Sequence, residues 1–186
     1  MYTPLPICAP LSFMYHVHSE PGHQLSQGLY GQFIVVDPDR RDAEHDRFFL
    51  LGSLGAGADA PPAVNGSLDP EPLELRAGTT YRVRFMPITP DDNRWVTLRD
   101  GDSTLTGRVV AHDGAEYPPE LVTTTPTNQR FFDTGTTFDA LFTPEKPGTL
   151  TLRIVTEYDR GVQQFARPIP PPHTMNIPIR VTAATR

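Results

Sequence analysis

Two histidines alternate with hydrophobic residues near the start of the chain, in the segment Phe13-Met14-Tyr15-His16-Val17-His18-Ser19-Glu20. Side chains of an extended strand alternate between two faces, so the pattern predicts a core face of Phe13, Tyr15 and Val17 and a second face that carries both imidazoles. Same-face neighbours on a strand lie about 7 Å apart at their Cα atoms. The pair therefore has the spacing to hold one metal ion or two neighbouring ions.

His16 and His18 are the metal-ligand candidates of this segment, and three nearby residues have an open role. Glu20 is either a partner for the outer N–H of a ligating imidazole or a simple loop carboxylate. His23 is a candidate third nitrogen ligand, and Met14 is either a soft ligand or a packing residue. A further hypothesis is adventitious or storage binding of one divalent metal at His16, His18 and His23, which protons would displace as the pH falls.

Composition favours short strands and excludes several functions. The 186 residues include 21 prolines and 14 glycines, which interrupt long helices and mark turns. A net charge of −6 without a basic cluster argues against nucleic acid as a partner. The sequence contains no run of eighteen apolar residues, so no membrane span is predicted. The first residues lack the features of a secretory signal, and taken literally this indicates the cytoplasm.

Regular turn signals and alternating segments follow from residue 64 onward. In Thr80–Phe85, for example, Tyr81, Val83 and Phe85 share one face while Arg82 and Arg84 share the other, as in a sheet with one buried side. Seven or eight such segments at hairpin spacing predict an antiparallel β-sandwich with no helix longer than a turn or two.

Several phrases of the sequence, taken in order, resemble the cupredoxin domains of multicopper oxidases. The aromatic-His-x-His segment, the following Gly28-Leu29-Tyr30-Gly31 and the apolar strand that ends at Asp37-Pro38 resemble the end of the first domain. The phrases that resemble the second domain are Val64-Asn65-Gly66, Leu75-Arg76-Ala77-Gly78-Thr79-Thr80-Tyr81-Arg82-Val83-Arg84, Ala111-His112-Asp113-Gly114-Ala115-Glu116, Gly135-Thr136-Thr137-Phe138-Asp139 and Phe142-Thr143-Pro144-Glu145-Lys146-Pro147-Gly148.

The resemblance implies an all-β fold, a cupredoxin-like Greek-key β-sandwich preceded by a partial cupredoxin domain. Residues 1–43 would form the C-terminal part of the first domain, and residues 44–186 the second domain. Two strands, expected around residues 12–18 and 32–37, cannot close a sandwich by themselves. Either they pack on the following domain, or a partner chain supplies the rest, or the chain is a fragment of a longer gene product.

The resemblance also implies chemistry, because these oxidases couple one-electron oxidation of a small-molecule reductant to reduction of dioxygen at copper. His16 and His18 match one of the family's His-x-His segments, whose histidines ligate the trinuclear copper cluster. The family's other histidine segments have no match here, and residues 152–158 carry neither histidine nor cysteine. The second domain is therefore expected to lack a mononuclear copper site, and the family points to a periplasmic or secreted protein.

Two hypotheses remain open. The first is a copper-binding protein of the multicopper oxidase type, whose copper site is completed by a homo-oligomer or a partner chain. The second is a non-catalytic β-sandwich, a remnant or truncated product that serves as a structural or binding module. Cys8, His45, His112 and His173 are expected to be incidental to either role.

Overall fold

The computed structural model of the chain describes residues 11–19, 24–25, 27–36, 44–55, 60–88, 92–127, 129–131, 135–158 and 171–184. Within these ranges the chain forms fifteen β-strands and a short 3-10 helix at Pro119–Leu121. The strands are β1 (Leu11–His16), β2 (Tyr30–Val35), β3 (Asp46–Ser53), β4 (Pro62–Val64), β5 (Leu73–Arg76), β6 (Tyr81–Pro87), β7 (Asp92–Asp100), β8 (Ser103–Thr104), β9 (Thr106–His112), β10 (Ala115–Glu116), β11 (Thr124–Pro126), β12 (Gln129–Phe131), β13 (Phe138–Phe142), β14 (Gly148–Tyr158) and β15 (His173–Thr182).

The strands form three sheets. Strands β1 and β2 make an antiparallel pair of their own. A second sheet has the order β10-β9-β13-β6-β3-β4 with β11 beside β9, and a third has the order β12-β7-β14-β15-β5 with β8 beside β7. The expectation of an antiparallel sandwich was wrong at two pairings, because β3 pairs with β6 and β5 with β15 in parallel. Parallel neighbours arise from crossover connections, which local turn signals do not reveal.

The two larger sheets enclose one hydrophobic core, which confirms the predicted all-β sandwich. Alternate residues of both sheets point inward, as in β15, where every second side chain from Met175 to Val181 is buried. The side chains that build this core include Phe49, Leu51, Tyr81, Val83, Phe85, Val96, Leu98, Phe138, Phe142, Leu150, Leu152, Ile154, Ile177 and Ile179.

The β1–β2 pair covers the outer side of the β6-containing sheet, and this corrects two expectations. Strand β6 was predicted to expose its arginine face, yet Arg84 is 0% exposed. The predicted core face of β1 was also wrong, because Tyr15 is 58% exposed whereas Ser12, on the opposite face, is 2% exposed. Both errors have one cause: β1 packs on β6 through its polar face.

The histidine strand is shorter than expected. It ends at His16, so His18 lies two residues beyond it and is exposed. The division into residues 1–43 and 44–186 stays a prediction. In the described part of the chain, no helix has the length and apolar character needed to cross a membrane.

Candidate metal centre

The two imidazoles of the His-x-His segment lie side by side. The ring centroids of His16 and His18 are 4.6 Å apart, with an angle of 33° between the ring planes. His16 is half-buried at the end of β1, and His18 is exposed in the segment that follows. The pair therefore presents nitrogen donors at one edge of the small sheet, as alternation along the strand predicted.

A backbone contact indicates which nitrogen of His16 is available. Its Nδ1 lies 3.1 Å from the carbonyl oxygen of Val17. A carbonyl oxygen accepts hydrogen bonds but cannot donate, so this contact favours the tautomer in which Nδ1 carries the proton. Nε2 then keeps its lone pair, and such a hydrogen bond orients an imidazole for metal binding.

A buried polar network fastens β1 to the sandwich. Ser12 Oγ donates a hydrogen bond to Asp139 Oδ1 over 2.7 Å and accepts one from Arg84 Nη1 over 2.9 Å. The same Arg84 nitrogen contacts Asp139 Oδ2 at 2.6 Å, and the other end of the guanidinium binds both oxygens of Asp46 at 3.0 Å. Thr137 Oγ1 donates to the carbonyl oxygen of Ser12 over 2.9 Å. Both the side chain and the backbone of Ser12 are thus held.

Arg82 extends this network toward the surface. Its Nε donates to Asp139 Oδ2 over 2.9 Å and its Nη1 to Glu116 Oε1 over 2.8 Å. Burial by itself would lower the pKa of Arg82, but the hydrogen bonds and charges of Glu116 and Asp139 outweigh burial and raise the pKa. Two guanidinium groups therefore share the buried carboxylate of Asp139, which keeps these charges compensated.

The partner strand β2 is seated on the sandwich through Tyr30, which lies opposite His16 in the β1–β2 register. The Tyr30 phenol rests against the backbone of Gly52, where an added Cβ would lie 3.1 Å from Tyr30 Cζ. Burial raises the pKa of the Tyr30 phenol, and the nearby charge of Arg94 opposes this rise. Strand β2 thus packs on the sandwich at the residue that lies opposite His16.

The other candidates of the sequence are not brought to this pair. His112 ends β9 and places its Nδ1 3.1 Å from Asp113 Oδ2 in a partly exposed contact. His173 begins β15 and is exposed. His45 is half-buried rather than on the surface, because its ring packs edge-on against Tyr81 at 5.7 Å. Glu20, His23 and Cys8 lie outside the described residues.

The donor set fits part of a copper site. Imidazole nitrogens bind Cu(II) well, and two adjacent rings supply two ligands. In the ranges that the structure describes, no group of three or more His, Cys, Asp or Glu side chains is placed to hold a metal ion. A cluster of several coppers needs more ligands than this pair offers, so the remaining ligands would have to come from elsewhere.

The residues that hold the histidine strand in place were not predicted from the sequence. Arg84 and Asp139 are direct cross-strand partners in β6 and β13. An arginine and an aspartate that interrupt two apolar strands are a signal for such a pair, because an isolated charge is rarely buried. Ser12 carried no comparable signal, since a small uncharged polar residue can lie on either face of a strand without the cost of burying a charge.

Comparison with known proteins gives a fold relationship. No protein-family model matches the sequence, and no curated protein matches it. Among solved structures, a variant of the multicopper oxidase McoA from Aquifex aeolicus matches with a TM-score of 0.66 and 15% identity over 94% of this chain and 42% of its own. Fet3p, a multicopper oxidase that functions in iron import, matches with a TM-score of 0.65 and 16% identity over 94% of this chain and 34% of its own.

The blue copper oxidase of Nitrosomonas europaea matches with a TM-score of 0.60 and 12% identity over 92% of this chain and 56% of its own. The chain therefore spans between about a third and just over half of the length of these structures. Together with the sheet order, these matches show that the chain has the cupredoxin-like fold of multicopper oxidases.

Proposed function

We propose that this chain supplies part of a copper site in an oxidoreductase of the multicopper oxidase type, with His16 and His18 as two of the ligands. The observation that carries the proposal is the imidazole pair itself, with ring centroids 4.6 Å apart at the end of β1 and in the segment that follows it. The fold it shares with multicopper oxidases supports this reading.

The residues of this chain would bind and orient the metal rather than react with substrate. His16 would bind through Nε2, since its Nδ1 faces the Val17 carbonyl, and the exposed ring of His18 would approach from the adjacent side. Bound copper would supply one-electron chemistry, accepting electrons that come from a small-molecule reductant and passing them to dioxygen. The polar network behind β1 would keep the imidazoles in place.

A homo-oligomer or a partner chain would complete the site. Two imidazoles leave most coordination positions of a copper cluster unfilled. The outer face of the β1–β2 pair is also apolar and uncovered, with Tyr15 and Phe33 each 58% exposed and Leu29 54% exposed. An exposed apolar face of this kind favours binding of a second polypeptide to the β1–β2 pair, on the face opposite to His16.

Copper content per chain tests the proposal. The chain is loaded with Cu(II), dialysed exhaustively and analysed for metal, beside the His16→Ala/His18→Ala double variant and a His112→Ala/His173→Ala control. We expect retained copper in the wild type and the control and its loss in the first variant. Equal retention in all three proteins would place the metal elsewhere, and a folded wild type without copper would refute the proposal.

The alternative is a non-catalytic β-sandwich that acts as a structural or binding module. The exposed Tyr15, Phe33 and Leu29 favour it, because an apolar face of this kind serves protein binding without any metal. A partner that binds with the same affinity to the wild type and to the double histidine variant, with no copper in the complex, would support this alternative.

A further inference from the structure

We propose that Ser12, Arg84 and Asp139 are positioning residues that set the register of the histidine strand, so that His16 and His18 are presented together. The inference rests on the proposed function, since it concerns how the same pair is placed. Ser12 is the residue of β1 at the centre of the network, four positions before His16 on the same strand face.

Strand register decides which side chains face the sandwich. A slip of one residue would move every side chain of β1 to the opposite face, and Tyr15 or Val17 would then occupy the position of His16. Tyr15 and Phe33 are exposed, so burial of the outer face does not contribute to the choice of register. A directional polar contact would therefore add to the packing of Tyr30 on Gly52 and of Phe13 on Gly114 in choosing the face of β1 that docks.

The contacts of Ser12 provide that choice. Its Oγ is held between Asp139 Oδ1 at 2.7 Å and Arg84 Nη1 at 2.9 Å, so the side chain must face the sandwich. Its carbonyl oxygen accepts a hydrogen bond from Thr137 Oγ1 at 2.9 Å, so the position along the strand is fixed as well. With Ser12 fixed in both respects, His16 lies on the same face and opposite Tyr30.

The burial of the network supports a role in specificity. Arg84 is 0% and Asp139 is 1% exposed, and removing such charges from water is costly. Well-packed apolar side chains often stabilise a protein as well as a buried ion pair does, whereas directional polar contacts can select one register. The carboxylate of Asp139 meets Ser12, Arg84 and Arg82 at once, which leaves little freedom in where β1 docks.

The test uses four variants of the full chain. Ser12→Ala removes the hydroxyl that forms hydrogen bonds with Asp139 and Arg84. Thr137→Val removes the hydroxyl that holds the Ser12 carbonyl, whereas Thr137→Ser keeps it. Thr143→Val is the matched control, because it breaks an exposed hydroxyl contact of 2.8 Å with Thr80 elsewhere on the sandwich.

Two measurements without metal read the register. Amide hydrogen exchange compares the protection of β1 with that of β14 in the core, and nuclear Overhauser effects between the rings of His16 and His18 report whether the imidazoles stay together. In Ser12→Ala and Thr137→Val we expect the β1 amides to exchange about tenfold faster, the effect of losing one strong hydrogen bond. The β14 amides should not change, and the ring contacts should weaken. Thr137→Ser and Thr143→Val should match the wild type.

A third measurement, Cu(II) affinity, links the register to the proposed site, and we expect about a tenfold loss in the same two variants. Unchanged β1 protection and ring contacts in both variants would overturn the inference, as would an equal loss of protection in β14. A wild type that binds no copper would refute the proposed function, while the metal-free measurements would still decide whether the network sets the register.

Discussion

Arg84 is the most deeply buried charge of the described residues and connects the two parts of the structure. Its guanidinium contacts Asp139 on β13, Asp46 on β3 and Ser12 on β1. A buried guanidinium is tolerable only when its donors find acceptors and its charge is compensated. The arginine therefore depends on these carboxylates, and they depend on it.

Asp139→Asn should destabilise the fold more than any conservative surface change. Asparagine keeps the shape of the side chain but removes the charge that compensates Arg84 and Arg82, so we expect a loss on the order of 3 kcal/mol in the free energy of unfolding. Urea denaturation measures this loss. Asp102→Asn is the control, because Asp102 is fully exposed and lies 3.7 Å from Arg99, and a surface pair of this kind contributes little to stability. Equal losses in both variants would contradict the account.

Sequence patterns predicted the positions of individual side chains only where neighbouring residues determined them. Alternation correctly placed Tyr81, Val83 and Phe85 in the core, and it brought His16 and His18 together. It failed for Arg84, because the layer that covers this residue comes from a strand about 70 positions earlier in the chain. Burial by a distant segment leaves no trace in local periodicity.

The candidate site depends on the β1–β2 pair, and two glycines of the sandwich leave space for side chains of this pair. Gly52 lies beneath Tyr30 of β2, and Gly114 lies against the ring of Phe13 of β1. Gly114 also has a φ of +70°, in the left-handed region that favours glycine. A side chain at either position would push the pair away from the sandwich.

Gly114→Ala should loosen β1 more than backbone strain alone explains, because the new methyl group would overlap the Phe13 ring. Gly66→Ala is a matched control, since Gly66 has a similar φ of +77° and open space around it. We expect Gly114→Ala to cost about 1–3 kcal/mol more than the control, the usual range for overpacking. Thermal denaturation of both variants measures the difference.

Adding Phe13→Ala gives a second check on this contact. In a Phe13→Ala background the methyl group would meet no ring, so Gly114→Ala should cost no more than Gly66→Ala. An excess cost that persists without the ring would show that Phe13 is not the group that Gly114 accommodates.

At the level of elements, turn residues and alternation predicted that the chain after residue 64 is built of short strands, and they placed β6 correctly. The pairing of the strands could not be predicted from local sequence patterns. The parallel contacts of β3 with β6 and of β5 with β15 depend on how the chain crosses between layers, which is a property of the whole fold.

At the scale of the whole molecule, the described residues form a sandwich with a continuous core and a small sheet whose outer face is exposed. Tyr15, Phe33 and Leu29 are each more than half exposed on or beside that sheet. Such surfaces on soluble proteins usually mark a binding site for another polypeptide. The outer face therefore favours binding of another polypeptide, and the proposed copper site would separately need further ligands.

Tyr15→Lys/Phe33→Lys should reduce self-association of the chain, because two charges would have to be buried in any interface formed by this face. Sedimentation analysis over a range of concentrations measures the mass. Leu68→Lys/Leu121→Lys is the control, since these leucines are 51% and 61% exposed elsewhere. We expect a concentration-dependent mass for the wild type and the control and a monomer for the first variant. A wild type that stays monomeric at all concentrations would contradict this expectation.

The most direct test of the central claim is pulsed electron paramagnetic resonance on the chain loaded with Cu(II), which counts the imidazole nitrogens coupled to the metal. We predict two coupled imidazoles in the wild type, one in each of His16→Ala and His18→Ala, and none in the double variant. A spectrum that the three variants leave unchanged would show that copper binds elsewhere and that the His16–His18 pair is not a metal site.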